Sequence, residues 1–136
     1  MDSRDDVEYL AAFETCAIAN TEFHHADHVR VAWIYLRKFP LLAAIEHFTQ
    51  SLRRFAAHHG ATTLYHETIT LAYLLLIHER MNGEGSFDDF RAKNPDLFTW
   101  KPSILDRYYT ASTLASDRAR SVFLLPDAHL PLNEAK

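Results

Sequence analysis

Histidines gathered at the start of an apolar segment are the clearest chemical signal in this sequence. His24, His25 and His28 fall within five positions, and the string Y-H-E-T-I-T further along supplies the adjacent pair His66 and Glu67. Imidazole nitrogens and carboxylate oxygens bind borderline divalent ions at about 2.0–2.2 Å, and residues three or four apart on one helix can reach the same ion. The sequence therefore predicts a metal site formed by His25, His28, His66 and Glu67.

The ligand types leave the identity of the ion open. Nitrogen and oxygen donors without thiolate suit Zn²⁺, Ni²⁺, Fe²⁺ and Mn²⁺, so a divalent transition metal is the expected cofactor. Two ligands from each of two facing helices would complete a four-ligand shell, whereas three ligands would leave one position for water. Glu67 is accordingly either the fourth ligand or the catalytic general base, which would activate bound water or accept a substrate proton.

A structural role is the alternative explanation for the same histidines. A buried imidazole can donate from one ring nitrogen and accept at the other, so that backbone carbonyls or neighbouring side chains satisfy it completely. His-x-x-His spacing also occurs by chance in helices that bind nothing. On this interpretation, His25, His28 and His66 are ordinary core residues.

Helical periodicity places the two segments so that they can face each other. The first segment is expected to form a helix from an N-cap at Thr21 to about Phe39, and the second a helix from Tyr65 to about Met81. At about 100° per residue, the residues that share the inward side of each helix are His25, His28, Val29, Ala32 and Leu36 in the first and His66, Thr70, Tyr73 and Ile77 in the second. His24 falls closer to the polar side and is the weakest candidate ligand.

The rest of the chain also favours helices, and the expected fold is an all-α bundle of four main helices with short C-terminal helices. A first helix should run from Asp5 or Asp6 to about Asn20, and a third from Leu41 to His58 with Gly60 ending it. Ser86 and Ser116 are expected to cap short helices. The final segment, which contains two prolines, should be extended and should pack on the bundle through the apolar residues Phe123, Leu124, Leu125, Leu130 and Leu132.

Length and composition limit the class of protein. The 136 residues are expected to form a single helical domain over 1–136, and the formal charge of −4 argues against nucleic acid as a partner. The start M-D-S-R-D-D lacks the features of a secretory signal, and no apolar run approaches the roughly 20 residues that cross a bilayer. With a single cysteine, which excludes an internal disulfide, the expected compartment is the cytoplasm and no membrane partner is expected.

Several strings together resemble a family of small bacterial all-helical proteins of unassigned function. They are F-H-H-A-D-H-V-R-V-A-W-I-Y-L, then Y-H-E-T-I-T, R-Y-Y-T and P-D-A-H-L-P-L. The resemblance spans about Tyr9 to Leu132 and implies a compact single domain, with His25, His28 and the adjacent His66 and Glu67 at the motif positions. A more distant similarity is to helical-bundle metal proteins of the DinB type, in which three histidines stand on different helices; here two share one helix.

These observations favour a small cytoplasmic metalloprotein that acts as an enzyme on a small organic substrate. The sequence has no G-x-S-x-G string and no glycine-rich phosphate loop, which removes common hydrolase and nucleotide-binding hypotheses. The alternative is a non-catalytic helical module for binding or dimerisation, with structural core histidines. Formation of a homodimer stays open in either case.

Overall fold

The computed structural model describes residues 4–83 and 85–128. Within that part of the chain the regular secondary structure is entirely helical, which confirms the predicted fold class. The α-helices are α1 (Asp6–Glu14), α2 (His25–Lys38), α3 (Leu41–His58), α4 (Glu67–Arg80), α5 (Phe87–Lys93), α6 (Ala111–Leu114) and α7 (Asp117–Ser121). Short 3₁₀ turns connect several of them, and none of the described helices is long and apolar enough to cross a membrane.

Helix α1 ends well before Asn20, where the sequence predicted its end. Cys16 takes a left-handed conformation with φ of 60°, and the Ala17 N–H donates to the Ala12 carbonyl at 2.8 Å. This bond closes a helix in the way that a terminal glycine usually allows. The apolar pattern continues past this point through Ile18, so periodicity alone does not reveal the end.

Helix α2 begins at His25 rather than directly after Thr21, so the predicted N-cap is wrong. Thr21 lies instead in a 3₁₀ turn, Asn20–Glu22. The backbone N–H of His24 donates to the carboxylate of Asp27 at 2.9 Å. In a capping box, the acidic side chain at the third helical position accepts a hydrogen bond from the backbone N–H of the N-cap residue, as Asp27 does here. The start of α2 is therefore set by Asp27.

Helix α3 has the predicted bounds, Leu41–His58, and ends where the sequence placed its end. Gly60 has a φ of 68° and donates its N–H to Ala57, while the Ala61 N–H reaches back to the Ala56 carbonyl at 2.7 Å. This is the usual pair of bonds at a glycine-terminated helix. The predicted role of Gly60 is confirmed.

Helix α2 lies at the centre of the core. It packs against α1, α3 and α4, and its segment 29–36 is buried throughout. Val31, Trp33 and Tyr35 are each no more than 1% exposed. Because α3 and α4 also pack against each other, the three helices surround the space between them. That space contains the predicted histidines.

The described part of the C-terminal segment is hydrogen-bonded to α4 and is only partly buried. The Thr68 hydroxyl donates to the Val122 carbonyl at 2.7 Å and accepts from the Leu124 N–H at 3.1 Å. Phe123 packs on the core as predicted. Leu125 is 76% exposed, so its predicted burial is wrong. The predictions for Leu130 and Leu132 lie outside the described residues.

Candidate functional site: a histidine-lined cavity between three helices

A cavity of about 660 Å³ lies between α2, α3 and α4. Most of its wall is aliphatic or aromatic, including Phe48, Leu52 and Phe55 from α3 and Leu74 and Ile77 from α4. Its polar lining consists of Asn20, His24, His25, His28, Tyr65, His66, Thr70, Tyr73 and Arg120. The residues that periodicity placed on the inward sides of the two helices, Leu36 excepted, all line this cavity, so that part of the sequence prediction is confirmed.

His25 faces the cavity with one ring nitrogen already used. Its Nε2 lies 2.8 Å from the Leu97 carbonyl oxygen, and because a carbonyl only accepts, Nε2 carries the proton. The lone pair is therefore on Nδ1. Burial lowers the pKa of His25, although the bond to Leu97 opposes that shift. The ring also packs against Tyr73 and Trp100, with centroids 4.7 Å and 5.0 Å away.

His28 is the least satisfied histidine of the site. Its ring packs on Phe23 at 4.4 Å between centroids, and within the described residues it makes no hydrogen bond through its side chain. Burial, followed by the charge that His25 would carry when protonated, lowers the pKa of His28 to about 4. At neutral pH His28 is thus a neutral imidazole with one donor and one acceptor facing the cavity.

His66 lines the same cavity, but both of its ring nitrogens have protein partners. Nδ1 accepts from the Ile69 N–H at 3.1 Å, which makes His66 the N-cap of α4, and Nε2 donates to the Leu114 carbonyl at 2.8 Å. The predicted helix start at Tyr65 is therefore wrong, because the cap is the histidine itself. Neither nitrogen keeps a free lone pair for a metal ion in this geometry.

Glu67 does not line the cavity. Its Oε1 accepts from the Tyr65 hydroxyl at 2.6 Å and from Arg53 Nη2 at 2.9 Å. The Arg53 guanidinium also stacks over the Tyr65 ring at 4.8 Å. Burial and the bond to the Glu67 carboxylate raise the pKa of Tyr65. Glu67 thus belongs to an ion-pair cluster with Arg53 of α3 and Tyr65, next to the cavity wall.

The structure brings three of the four predicted ligands to one cavity without bringing them to one point. In residues 4–83 and 85–128, no group of three or more His, Cys, Asp or Glu side chains has an arrangement that could hold a metal ion. His24 also lines the cavity but is exposed. Among the described residues, the less exposed histidines that line the cavity and keep an uncommitted ring nitrogen are His25 and His28.

Two residues that sequence reasoning did not assign to the site also line it. Trp100 lies 47% exposed beside His25 and Tyr73, and Arg120 reaches the cavity from α7. Both come from segments far along the chain with no periodic pattern that connects them to α2 or α4. The exposure that sets Trp100 apart from a core aromatic is seen only in the structure, so the sequence held no signal for either residue.

Comparison with known proteins adds no relative. No family model matches the chain, and neither the curated proteins nor the solved structures include a match. The resemblance to small bacterial helical proteins and to the DinB type therefore stays a prediction.

Proposed function

We propose that the protein binds a small, mainly apolar organic molecule in the cavity between α2, α3 and α4. The observation that carries this proposal is the cavity itself. Its volume of about 660 Å³ lies within the roughly 300–1,000 Å³ of small-molecule sites, which combine apolar walls with a few placed polar groups. An apolar molecule in this space would supply contacts that the aliphatic and aromatic side chains of the wall otherwise lack on that side.

His25 and His28 supply the polar contacts expected of such a site. Both have a lowered pKa, so both are neutral near pH 7 and each offers a nitrogen lone pair. A hydroxyl or another donor on the ligand can bond to these acceptors. A neutral imidazole in an apolar cavity can also accept a proton from a bound substrate, which is the form in which an enzymatic role would appear.

Binding can be tested by narrowing the cavity at one position. Ala56 lines it and is 9% exposed, whereas the neighbouring Ala57 is exposed and does not line it. Titration with 1-octanol, followed by tryptophan fluorescence, should show saturable binding to the wild type. Ala56→Leu should weaken binding at least about tenfold by occupying the space, and Ala57→Leu should leave it unchanged. Equal binding by both variants would place the ligand outside this cavity.

A second candidate function is a metal-dependent one, and it is carried by the paired imidazoles. His28 and His25 are close enough for charge on one to affect the other, and both face the cavity. A divalent Zn²⁺, Ni²⁺, Fe²⁺ or Mn²⁺ bound by this pair would need water or the bound organic molecule to complete its coordination. In that role the metal would polarise a substrate held in the cavity.

Elemental analysis of protein purified without an affinity tag tests the metal proposal. Bound metal should be lost in His25→Ala and in His28→Ala, and it should persist in His66→Ala because that ring is committed to Ile69 and Leu114. A metal that binds the native state must also raise the melting temperature. Less than about a tenth of an equivalent of metal, with no thermal upshift on adding any of the four ions, would exclude this function.

A further inference from the structure

Among the described residues, the cavity wall includes a basic side chain and no acidic one. Arg120 is the one Lys or Arg side chain on the wall, and no Asp or Glu lines the cavity in the described part of the chain. The protein as a whole carries a formal charge of −4, so a wall without a carboxylate differs from the rest of the surface. An anionic group on a ligand would therefore be attracted by Arg120, and no carboxylate on the wall would repel it.

Arg120 lines the cavity, and among the described residues only one of its guanidinium nitrogens has a hydrogen-bond partner. Its Nη1 donates to the Thr63 carbonyl at 2.7 Å, which fixes the side chain against the turn before α4. Its Nε and Nη2 have no hydrogen-bond partner among the described residues, and the residue is exposed. Leu64, next in sequence to Thr63, also lines the cavity and is 72% exposed. An apolar edge and a free cationic edge thus lie together at the opening.

We infer that the ligand is a monocarboxylic acid with an apolar chain or ring, bound with its carboxylate at Arg120 and its apolar part in the cavity. This inference rests on the proposed binding function and specifies the class of its ligand. A guanidinium whose Nε and Nη2 have no partner among the described residues can form charge-assisted bonds to a carboxylate through both nitrogens. The apolar part would gain the burial that the aliphatic and aromatic wall provides.

Three ligands of equal chain length separate the charge from the apolar contribution. Octanoate, 1-octanol and octylamine should bind in that order near pH 7, because the carboxylate gains Arg120 and the ammonium is repelled by it. Because exposed ion pairs are weak and half-desolvated ones stronger, octanoate should bind about three- to tenfold more tightly than 1-octanol. Tryptophan fluorescence or calorimetry at low ionic strength gives the three dissociation constants.

Two neighbouring arginines provide the variant and its control. Arg120→Ala should weaken octanoate binding about three- to tenfold and change 1-octanol binding less than about twofold. Arg118→Ala removes an exposed charge from the same helix without touching the cavity wall and should leave both constants unchanged. Arg120→Lys should restore part of the preference for octanoate, since the charge returns without the fork geometry.

The outcomes of the inference and of the binding proposal are distinct. Equal affinity for octanoate and 1-octanol, unaffected by Arg120→Ala, would overturn the inferred ligand class and leave the binding function standing. Tighter binding of octylamine than of octanoate would also overturn the inferred ligand class. Failure of all three ligands to bind the wild type would overturn the binding function, and the inferred ligand class with it.

Discussion

The Nε2 atom of His66 lies 2.8 Å from the carbonyl oxygen of Leu114 and donates to it, so this histidine fastens α6 to the start of α4. Its other nitrogen caps α4 through the Ile69 N–H. The residue that completes the metal site predicted from the sequence is thus fully engaged in holding two elements together. His66 therefore lines the cavity with both ring nitrogens engaged, and the proposed binding function rests on His25 and His28 instead.

His66→Ala should destabilise the fold. The variant loses the N-cap of α4 and leaves the partly buried Leu114 carbonyl without its partner, at a combined cost of about 1–3 kcal/mol. Urea denaturation followed by circular dichroism measures the loss. His78→Ala, at an exposed position in the last turn of α4, is the matched control and should cost less than about 0.5 kcal/mol. Equal stability of the two variants would show that the His66 bonds contribute nothing.

The stability contributed by His28 should depend on pH in one direction. Its pKa is about 4 in the folded protein, against about 6.5 in the unfolded chain, so below pH 6.5 the unfolded state binds more protons. Wild-type stability should therefore fall between pH 6.5 and pH 4, by on the order of 3 kcal/mol at most, and this contribution should level off below that range. Above pH 6.5 the group is neutral in both states and contributes no pH dependence.

His28→Leu removes that titration and keeps an apolar side chain beside Phe23. Denaturation at pH 7.5 and at pH 4.5 should show a smaller acid-induced loss in the variant than in the wild type. His78→Leu, which removes a histidine away from the cavity, should keep the wild-type loss. If His28→Leu is as acid-sensitive as the wild type, His28 is not a neutral histidine in the folded protein.

Gly60→Ala should destabilise the end of α3 by about 1 kcal/mol, because a side chain at φ of 68° is strained even though no atom would meet its Cβ. Gly85 also has open space where a Cβ would lie, without the left-handed backbone. Gly85→Ala should therefore change the free energy of unfolding by less than about 0.5 kcal/mol. A cost for Gly85→Ala equal to that for Gly60→Ala would show that backbone conformation is not the cause.

The sequence predicts best those features that depend on local pattern. Pro40 and Gly60 mark the bounds of α3, and the step of 100° per residue places His25 and His28 on the cavity side of α2. The end of α1 was missed because Cys16 takes a conformation that glycine normally supplies. Local pattern therefore identifies the helices more reliably than it identifies their ends.

Contacts between distant segments explain the other differences. The sequence predicts Glu67 in the site from its neighbour His66, yet the Glu67 carboxylate pairs with Arg53 on α3 and does not line the cavity. Arg120 reaches the cavity only because α7 packs against α4. The spacing of residues in the sequence does not predict these contacts, because they arise from how the helices pack.

Intermolecular nuclear Overhauser effects test the binding site most directly. With 1-octanol added to protein carrying ¹³C-labelled methyl groups, contacts should appear between the ligand and the methyl groups of Leu52 and Ala56. Both residues line the cavity and are only 6% and 9% exposed, so a ligand on the outer surface has little access to them. Contacts confined to the exposed Leu42 and Leu125, or none at saturating ligand, would contradict the proposal that this cavity binds a small apolar molecule.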